Sequence, residues 1–301
     1  MEEKIVNATQ VHGLTGVEVN TPEHVTAMPA LGLKKFVADQ GLAVTCVNPR
    51  FDRDPLWARG AFSHPDGPTR QKAVDAAKFA VDTAAALDCN HICIWPGTDG
   101  FDYPFQQDYE RAWDQLVDGL RQVAQYNPSV QVDLEYKIWE PRRFSFLRDI
   151  GTTLEAIRDC GVGNMGVTLD YAHVLMAKEN IACSAALARR NQVLSNIHLN
   201  DGYGEADDGY MAGSTHLVET MELLQYLHAV DYGGWLTFDL FPTHEDPVQF
   251  CQNSIDNVRW LHQLAISIDL EELAQLRATM DANGVQRLVR QTMSQSVLPG
   301  Q

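Results

Sequence analysis

The sequence is short of positive charge, with 23 lysines and arginines against 40 aspartates and glutamates and a formal charge of −17. No basic run could neutralise several phosphates at once, so nucleic acid and anionic membranes are not expected as partners. No apolar stretch approaches the ~20 residues that cross a bilayer, and no basic segment followed by an apolar one opens the sequence. We therefore expect a cytoplasmic protein.

Cysteine pairs and linkers are also missing. The six cysteines are scattered, mostly within apolar runs, and none forms a C-x-x-C pair that would indicate zinc binding or redox chemistry. We predict that they are reduced core residues. No Pro-, Gly- or Ser-rich stretch divides the 301 residues, and 45% of them are hydrophobic. Most of the chain is therefore predicted to be one domain with a sizeable core.

Short apolar segments of β-rich composition alternate with helical patterns from residue 14 to residue 263. The predicted strands are 16–20, 42–48, 91–96, 130–137, 165–173, 194–201 and 235–242. The predicted helices are 30–39, 69–87, 107–126, 152–159, 182–190, 217–230 and 247–264, where apolar residues recur every three or four positions. Strict alternation predicts parallel strands joined by crossover helices.

Seven strands fit either an eight-stranded barrel that lacks one strand or an open doubly wound sheet. Polar residues at or near the ends of four different strands help to choose between the two. An open sheet would spread these residues along a row, whereas a closed sheet gathers them at one rim. We therefore predict a (β/α)8 TIM barrel as the catalytic domain, residues 1–263. The four rim residues are Glu135, Asp170, His198 and Asp239.

Both ends of the sequence suit helices better than strands. Residues 1–13 have a helical apolar pattern, so either the usual first barrel strand is missing and the barrel is incomplete or open at that seam, or these residues form an irregular strand. Residues 264–301 are predicted as a C-terminal helical extension of two helices spanning 268–298, with Asp269 capping the first. Such an extension usually packs on the barrel flank or on a neighbouring subunit, and we expect a homo-oligomer.

The segment 197–213 is unusually acidic for a stretch that follows a buried strand. His198 stands near the strand end, and four carboxylates follow without an intervening cation: Asp201, Glu205, Asp207 and Asp208. Clustered carboxylates repel one another, and a divalent cation removes that repulsion most simply. The alternative is a solvated acidic loop.

Other acids and bases occupy the ends of neighbouring strands. Glu135 and Lys137, two residues apart, would both face the barrel mouth, although they could also form a structural ion pair. Asp170-x-x-His173 can direct two ligands to one cation, and Asp239 lies in an apolar strand where it needs a partner. Three carboxylates and one imidazole suit Mn²⁺, Mg²⁺ or Co²⁺.

Taken together, these motifs resemble the xylose isomerase and L-rhamnose isomerase group, within the xylose isomerase-like TIM-barrel superfamily. The motifs are Glu135-x-Lys137-x-x-Glu140-Pro141-Arg142, Asp170-x-x-His173, His198 with Glu205-x-Asp207, and Asp239. The resemblance implies a structural ion and leaves open a second, catalytic ion. The structural ion would bind Glu135, Asp170, His198 and Asp239; the catalytic ion would bind Asp170, His173, Glu205 and Asp207, with Asp208 as the competitor of Asp207.

The resemblance also implies roles for side chains around the substrate. Lys137 would bind the oxygen at the carbonyl end of the sugar, and His64 would assist ring opening. Trp95 would pack against the sugar as one side of the binding site, and further aromatic residues would extend that side: Phe101, Tyr103 and Phe105. Core packing is the alternative for the aromatic residues. The predicted catalytic residues are Lys137, His64, Glu135 and Asp239. The predicted substrate-binding residues are Trp95, His173, Phe105 and Asp201.

The function predicted is a metal-dependent aldose–ketose isomerase that acts by hydride shift. A free monosaccharide is expected because no glycine-rich loop or Arg/Lys cluster would grip a phosphate. A ketose 3-epimerase is the main alternative; it would use one metal and two glutamates, so the shorter Asp239 and the presence of Lys137 favour the isomerase. A lyase or dehydratase, a subunit acting on oxidised glycosides, a phosphodiesterase and a non-catalytic sugar-binding barrel also remain open, as does the identity of the sugar.

Overall fold

A computed structural model describes residues 2–295, and its centre is one parallel sheet of seven strands. Each strand pairs with the next along the chain, and no ladder joins the first strand to the last within this range. Glu18 of the first strand nevertheless lies 3.3 Å from His198 of the sixth, so the sheet curls into a nearly closed barrel. The predicted barrel fold is confirmed. The strands are β1 Gly16–Thr21, β2 Ala43–Pro49, β3 His91–Ile94, β4 Gln131–Glu135, β5 Met165–Asp170, β6 Leu194–Leu199 and β7 Leu236–Phe238.

Helices separate the strands and form the outer layer, and a helix instead of a strand opens the described range, as predicted. The barrel helices are α1 Glu2–Ala8, α2 Glu23–Ala27, α3 Ala30–Asp39, α4 Gly67–Ala86, α5 Tyr109–Tyr126, α6 Ile150–Cys160, α7 Tyr171–Met176, α8 Ile181–Arg190, α9 Leu217–Ala229 and α10 Pro247–Ser267. A short antiparallel ribbon pairs Gly100–Phe101 with Phe144–Ser145.

Local sequence signals explain where these helices begin. Asp66, Asp108, Asp149 and Asp246 each accept a hydrogen bond from the backbone amide three residues later and so cap α4, α5, α6 and α10. One predicted strand is shorter than expected for the same reason. The strand predicted over 165–173 ends at Asp170, because this carboxylate caps α7.

Apolar packing on both faces of the sheet holds the strand ends in place. Every residue of β5 is buried, and the barrel-wall residues Val132, Leu134, Leu169 and Ile197 have no solvent exposure. Small side chains on α4 let that helix lie close to the sheet. Four of the six cysteines are buried and all six are free, but Cys183 is exposed and Cys251 is only partly buried, so these two depart from the prediction of core residues.

Two further helices, α11 Leu270–Ala278 and α12 Ala282–Gln295, follow the barrel, with Leu273 and Leu288 buried. Asp269 caps α11 as predicted, accepting from the amides of Glu271 and Glu272. The last barrel helix runs past the predicted domain boundary at 263, and the predicted helical residues from 296 to 298 lie outside the described range. Within residues 2–295, no helix has both the length and the apolar character needed to cross a bilayer.

Candidate metal centre

Four polar side chains meet at the carboxyl ends of β4 to β7. Their potential ligand atoms, one from each residue, all lie within 4.8 Å of one another. Adjacent parallel strands end at the same rim, so four distant sequence positions become neighbours. We call this set the four-residue group. Its members are Glu135, Asp170, His198 and Asp239.

A second set, the three-residue group, consists of Asp170, His173 and Asp207 and shares Asp170 with the first. Asp207 reaches it because the loop after β6 doubles back, with Asp201 and Tyr210 exchanging backbone hydrogen bonds of 3.1 and 3.0 Å. Gly204 makes this turn possible: its φ is +72°, and an added Cβ would lie 2.9 Å from the Leu175 carbonyl oxygen.

The distances inside these groups suit ligands of a common ion. His198 Nδ1 is 3.6 Å from Glu135 Oε1 and 3.9 Å from Asp170 Oδ2, which is too long for hydrogen bonds. Two atoms that each lie ~2.1 Å from one ion are separated by about 3–4 Å. Within the described residues, His198 Nδ1, His173 Nδ1 and Asp207 Oδ1 are buried without a hydrogen-bond partner. The donor set therefore fits a divalent cation.

Burial and mutual repulsion also perturb the carboxylates. Burial, followed by the charge of Asp170, raises the pKa of Asp239 to about 7. Burial likewise raises the pKa of Asp170, with Asp207 and Glu135 adding to the effect. Burial opposes ionisation of Asp207 too, but hydrogen bonds and charges from His173 and Lys137 hold its pKa well below the usual value. The raised pKa values of Asp239 and Asp170 reflect burial and a concentration of negative charge, both of which a bound cation would offset.

Lys137 and Trp95 form one wall beside the two groups. The Lys137 ammonium donates to Asp207 Oδ2 at 2.9 Å and pairs with Glu140 Oε2 at 2.8 Å. It also lies 5.2 Å from the centre of the Trp95 ring. Gly97 leaves room for the indole, since an added Cβ would lie 2.2 Å from it. Trp95, Lys137 and Asp207 line a cavity of about 630 Å³ that Glu135, His198 and Asp239 also line.

Three residues of the site were not predicted from the sequence. Arg50, directly after β2, lies 6.0 Å from the Trp95 ring centre and lines the cavity. Asn200 donates to both carboxylate oxygens of Asp170, at 3.2 and 3.0 Å. Glu18 on β1 faces His198. The reasoning applied to Asp239, that an acid inside an apolar strand needs a partner, would have found Glu18.

Several predicted site residues lie elsewhere. His64 is buried outside the cavity, its Nδ1 accepting from the Asp66 amide at 3.0 Å. Phe105 is 99% exposed, and Glu205 is exposed outside both ligand groups. Asp201 has no exposure because the 215–216 segment surrounds its carboxylate with hydrogen-bond donors. None of these four residues lines the cavity, and their predicted roles stay predictions.

Asp207 and Asp208, which compete for one ligand role in the sequence, have different partners in the structure. Asp207 belongs to the three-residue group, whereas Asp208 Oδ2 accepts from the Tyr203 amide at 2.8 Å and closes the loop. Of the other predicted aromatic residues, Phe101 stacks on Phe144 with ring centroids 5.1 Å apart, and Tyr103 is 72% exposed.

A parallel barrel that gathers carboxylates and imidazoles at the carboxyl rim defines this protein as a TIM-barrel protein with a candidate divalent-metal centre. Comparison with known sequences refines this class. A sequence model of the family described as xylose isomerase-like TIM barrel matches residues 6–264, and the chain belongs to that family. The resemblance noted in the sequence is thereby confirmed.

Relatives and solved structures cover both isomerases and epimerases. Xylose isomerase of Thermus thermophilus is 28% identical over 68% of this chain and 55% of its own length. A probable sugar isomerase of Rhizobium meliloti is 26% identical over 74% of this chain and 53% of its own length. The chain thus spans about half the length of these curated relatives.

Two solved structures share the fold over more of their length. The 3-keto-D-glucoside 4-epimerase of E. coli has a TM-score of 0.70 at 19% identity and covers 86% of this chain and 94% of its own. An L-ribulose 3-epimerase has a TM-score of 0.72 at 16% identity, and the match covers 93% of this chain and 92% of the epimerase. At these identities the likeness concerns the fold alone.

Proposed function

We propose that this protein is a divalent-metal-dependent sugar isomerase that interconverts the aldose and ketose forms of a free monosaccharide by hydride shift. One observation carries the proposal: two ligand groups share Asp170, and Lys137 stands beside them. Glu135, His198 and Asp239 would complete one ion site, and His173 and Asp207 the other. When bound, Mn²⁺, Mg²⁺ or Co²⁺ supplies Lewis-acid polarisation of the sugar oxygens on C1 and C2.

The surrounding side chains would position and polarise the sugar. Lys137 can donate a hydrogen bond to O1, where negative charge develops as hydrogen moves with its electron pair from C2 to C1. The proton of the C2 hydroxyl is transferred to O1 in the same conversion. The indole of Trp95 offers an apolar face to the sugar and limits the access of water. We include Arg50 in the substrate site, because it lies beside Trp95 and lines the same cavity.

A ketose 3-epimerase is the second candidate. One observation favours it: the Lys137 ammonium already neutralises Asp207, which suits a single ion. Such an enzyme removes a proton on one face of the carbon and returns one on the other. Here the acids available for that exchange are Glu135 and the shorter Asp239, both members of the four-residue group.

Deuterium incorporation separates the two candidates. The Mn²⁺-loaded protein would be incubated in D₂O with a panel of free aldoses and ketoses, and products would be analysed by NMR. An isomerase that acts by hydride shift yields product with little solvent deuterium, whereas proton exchange at C3 labels that carbon. Asp170→Asn should abolish turnover, and Asp133→Asn is the control because Asp133 is also buried but lies outside both ligand groups and outside the cavity. Aldose–ketose conversion with full labelling at C1 or C2 would refute the hydride shift, and a product epimerised and labelled at C3 would refute the isomerase.

Metal content provides an independent check. The proposed isomerase should bind two divalent ions per chain at saturation, and a one-metal epimerase should bind one. Lack of any tightly held ion, with a melting temperature unaffected by EDTA, would refute both candidates. The cytoplasmic location and the homo-oligomeric state expected from the sequence remain predictions.

A further inference from the structure

Glu18 lies on the side of the His198 ring that faces away from the other ligands. His198 Nε2 is 3.3 Å from Glu18 Oε1, while His198 Nδ1 is directed at Glu135 and Asp170. Asn48 donates to the second Glu18 oxygen at 2.8 Å and fixes the carboxylate. Both oxygens of Glu18 thus accept hydrogen bonds from asparagine side chains, Oε2 from Asn48 and Oε1 from Asn196, as the oxygens of an ionised carboxylate do.

An ionised carboxylate only accepts hydrogen bonds, so the nitrogen that faces Glu18 must carry the proton. A neutral imidazole has one N–H, and placing it on Nε2 leaves the Nδ1 lone pair free for a cation. The unpartnered, buried Nδ1 agrees with this arrangement.

A competing donor stands next to the same nitrogen. Asn196 Nδ2 lies 3.3 Å from His198 Nε2 and also 3.3 Å from Glu18 Oε1. The amide cannot readily turn around, because its Oδ1 accepts from the Ile197 amide at 2.9 Å. With Glu18 present, the Asn196 amide donates to the carboxylate. Without Glu18, the same N–H can donate to Nε2, which places the imidazole proton on Nδ1, the nitrogen that faces the candidate ion.

We propose that Glu18 is a positioning residue that selects the metal-binding tautomer of His198 against competition from Asn196. The inference rests on the proposed metal centre and extends it to β1, a strand that provides no ligand to either group. Glu18 acts through His198 and does not need to contact the ion or the sugar.

The test measures metal affinity and tautomer, with no substrate present. Free Mn²⁺ would be followed by EPR during titration of the folded protein and of the variants Glu18→Ala, Glu18→Gln and Glu18→Ala/Asn196→Ala. Glu18→Ala should weaken Mn²⁺ binding by about 10–100-fold, the usual effect of removing such a partner. Glu18→Gln should lose less, because its amide oxygen can still accept from Nε2–H. The double variant should recover part of the affinity, because the competing donor is gone.

Imidazole ¹⁵N NMR of the metal-free protein, at a pH where the His198 ring is neutral, gives a second readout that general destabilisation would not change. The Nε2–H tautomer of His198 should dominate in the unmodified protein and in Glu18→Gln, and the Nδ1–H tautomer should increase in Glu18→Ala. Glu179→Ala is a matched control: Glu179 accepts from Tyr136 Oη at 2.6 Å and from the Ile150 amide, away from the cluster. It should lower stability and leave Mn²⁺ affinity unchanged.

The possible failures are distinguishable. Equal Mn²⁺ affinity of Glu18→Ala and the unmodified protein would overturn this inference while leaving the proposed metal centre intact. An unchanged tautomer in Glu18→Ala, or a double variant that binds no better than Glu18→Ala, would overturn the competition with Asn196. An unmodified protein that binds no Mn²⁺ would overturn the metal centre together with this inference.

Discussion

Replacing Lys137 should lower turnover and at the same time strengthen the binding of a second ion. The ammonium is buried, 2.9 Å from Asp207 and 2.8 Å from Glu140. Lys137→Met keeps an unbranched apolar stem and removes the charge. One well-placed donor to a developing oxyanion contributes ~3–4 kcal/mol, so we expect kcat/KM for isomerisation to fall by about 10²–10³-fold.

The effect on metal binding has the opposite sign because the ammonium and an ion compete for the same oxygen. At 2.9 Å, two unit charges attract by ~6 kcal/mol at an effective dielectric constant of ~20. The cost of desolvating the two groups offsets most of this attraction. We expect a residual gain of about tenfold in the affinity of the second ion once Asp207 is released.

Steady-state formation of ketose and a Mn²⁺ titration of the same sample measure both effects. Lys178→Met is the control, because this exposed lysine donates to the Gly204 carbonyl at 3.0 Å and lies outside both ligand groups and the cavity. Lys137→Met protein that keeps its activity would refute the role at O1. A weakened second site would refute the competition for Asp207.

Further predictions concern stability. Mn²⁺ at ~100 times its Kd should raise the free energy of unfolding by ~2.7 kcal/mol in urea titrations, and EDTA should reverse the gain; no change would exclude a site that binds only the folded state. Asp201→Ala should cost ~2–4 kcal/mol by leaving Thr215 and His216 donors unpaired, without altering Mn²⁺ affinity; a lost ion would instead identify Asp201 as a ligand. The Asp133 hydrogen bond raises the pKa of His91, so this pair stabilises the fold fully below pH ~6.5 and loses its effect as pH rises through the folded pKa. His91→Gln should therefore be most destabilising in acid, and a cost that does not change with pH would contradict this reasoning.

Much of the fold followed from local pattern. The alternation of apolar strand segments with helical periodicity predicts parallel strands, and parallel strands gather their carboxyl ends at one rim. The four-residue group could be anticipated for that reason: Glu135, Asp170, His198 and Asp239 each stand at or next to a strand end. Strand periodicity also placed Lys137 at the same rim.

The geometry of the loops could not be predicted from local sequence patterns in the same way. His64, Phe105 and Asp201 all lie between regular elements, and the direction of such side chains depends on turns and contacts that no periodicity encodes. The structure buries Asp201 against the 215–216 segment and exposes Phe105 fully. It also places Asp207, and not Asp208, in the three-residue group, because Asp208 accepts from the Tyr203 amide.

The sequence by itself determined the barrel and the row of polar strand ends, since both depend on the nature and spacing of residues within single elements. Only the tertiary structure decided which of those residues meet and which nitrogen of an imidazole faces the cluster. Glu18 and His198 are 180 positions apart, and closure of the barrel brings them within 3.3 Å. Such a pairing depends on how strands assemble, a property that no short stretch of sequence contains.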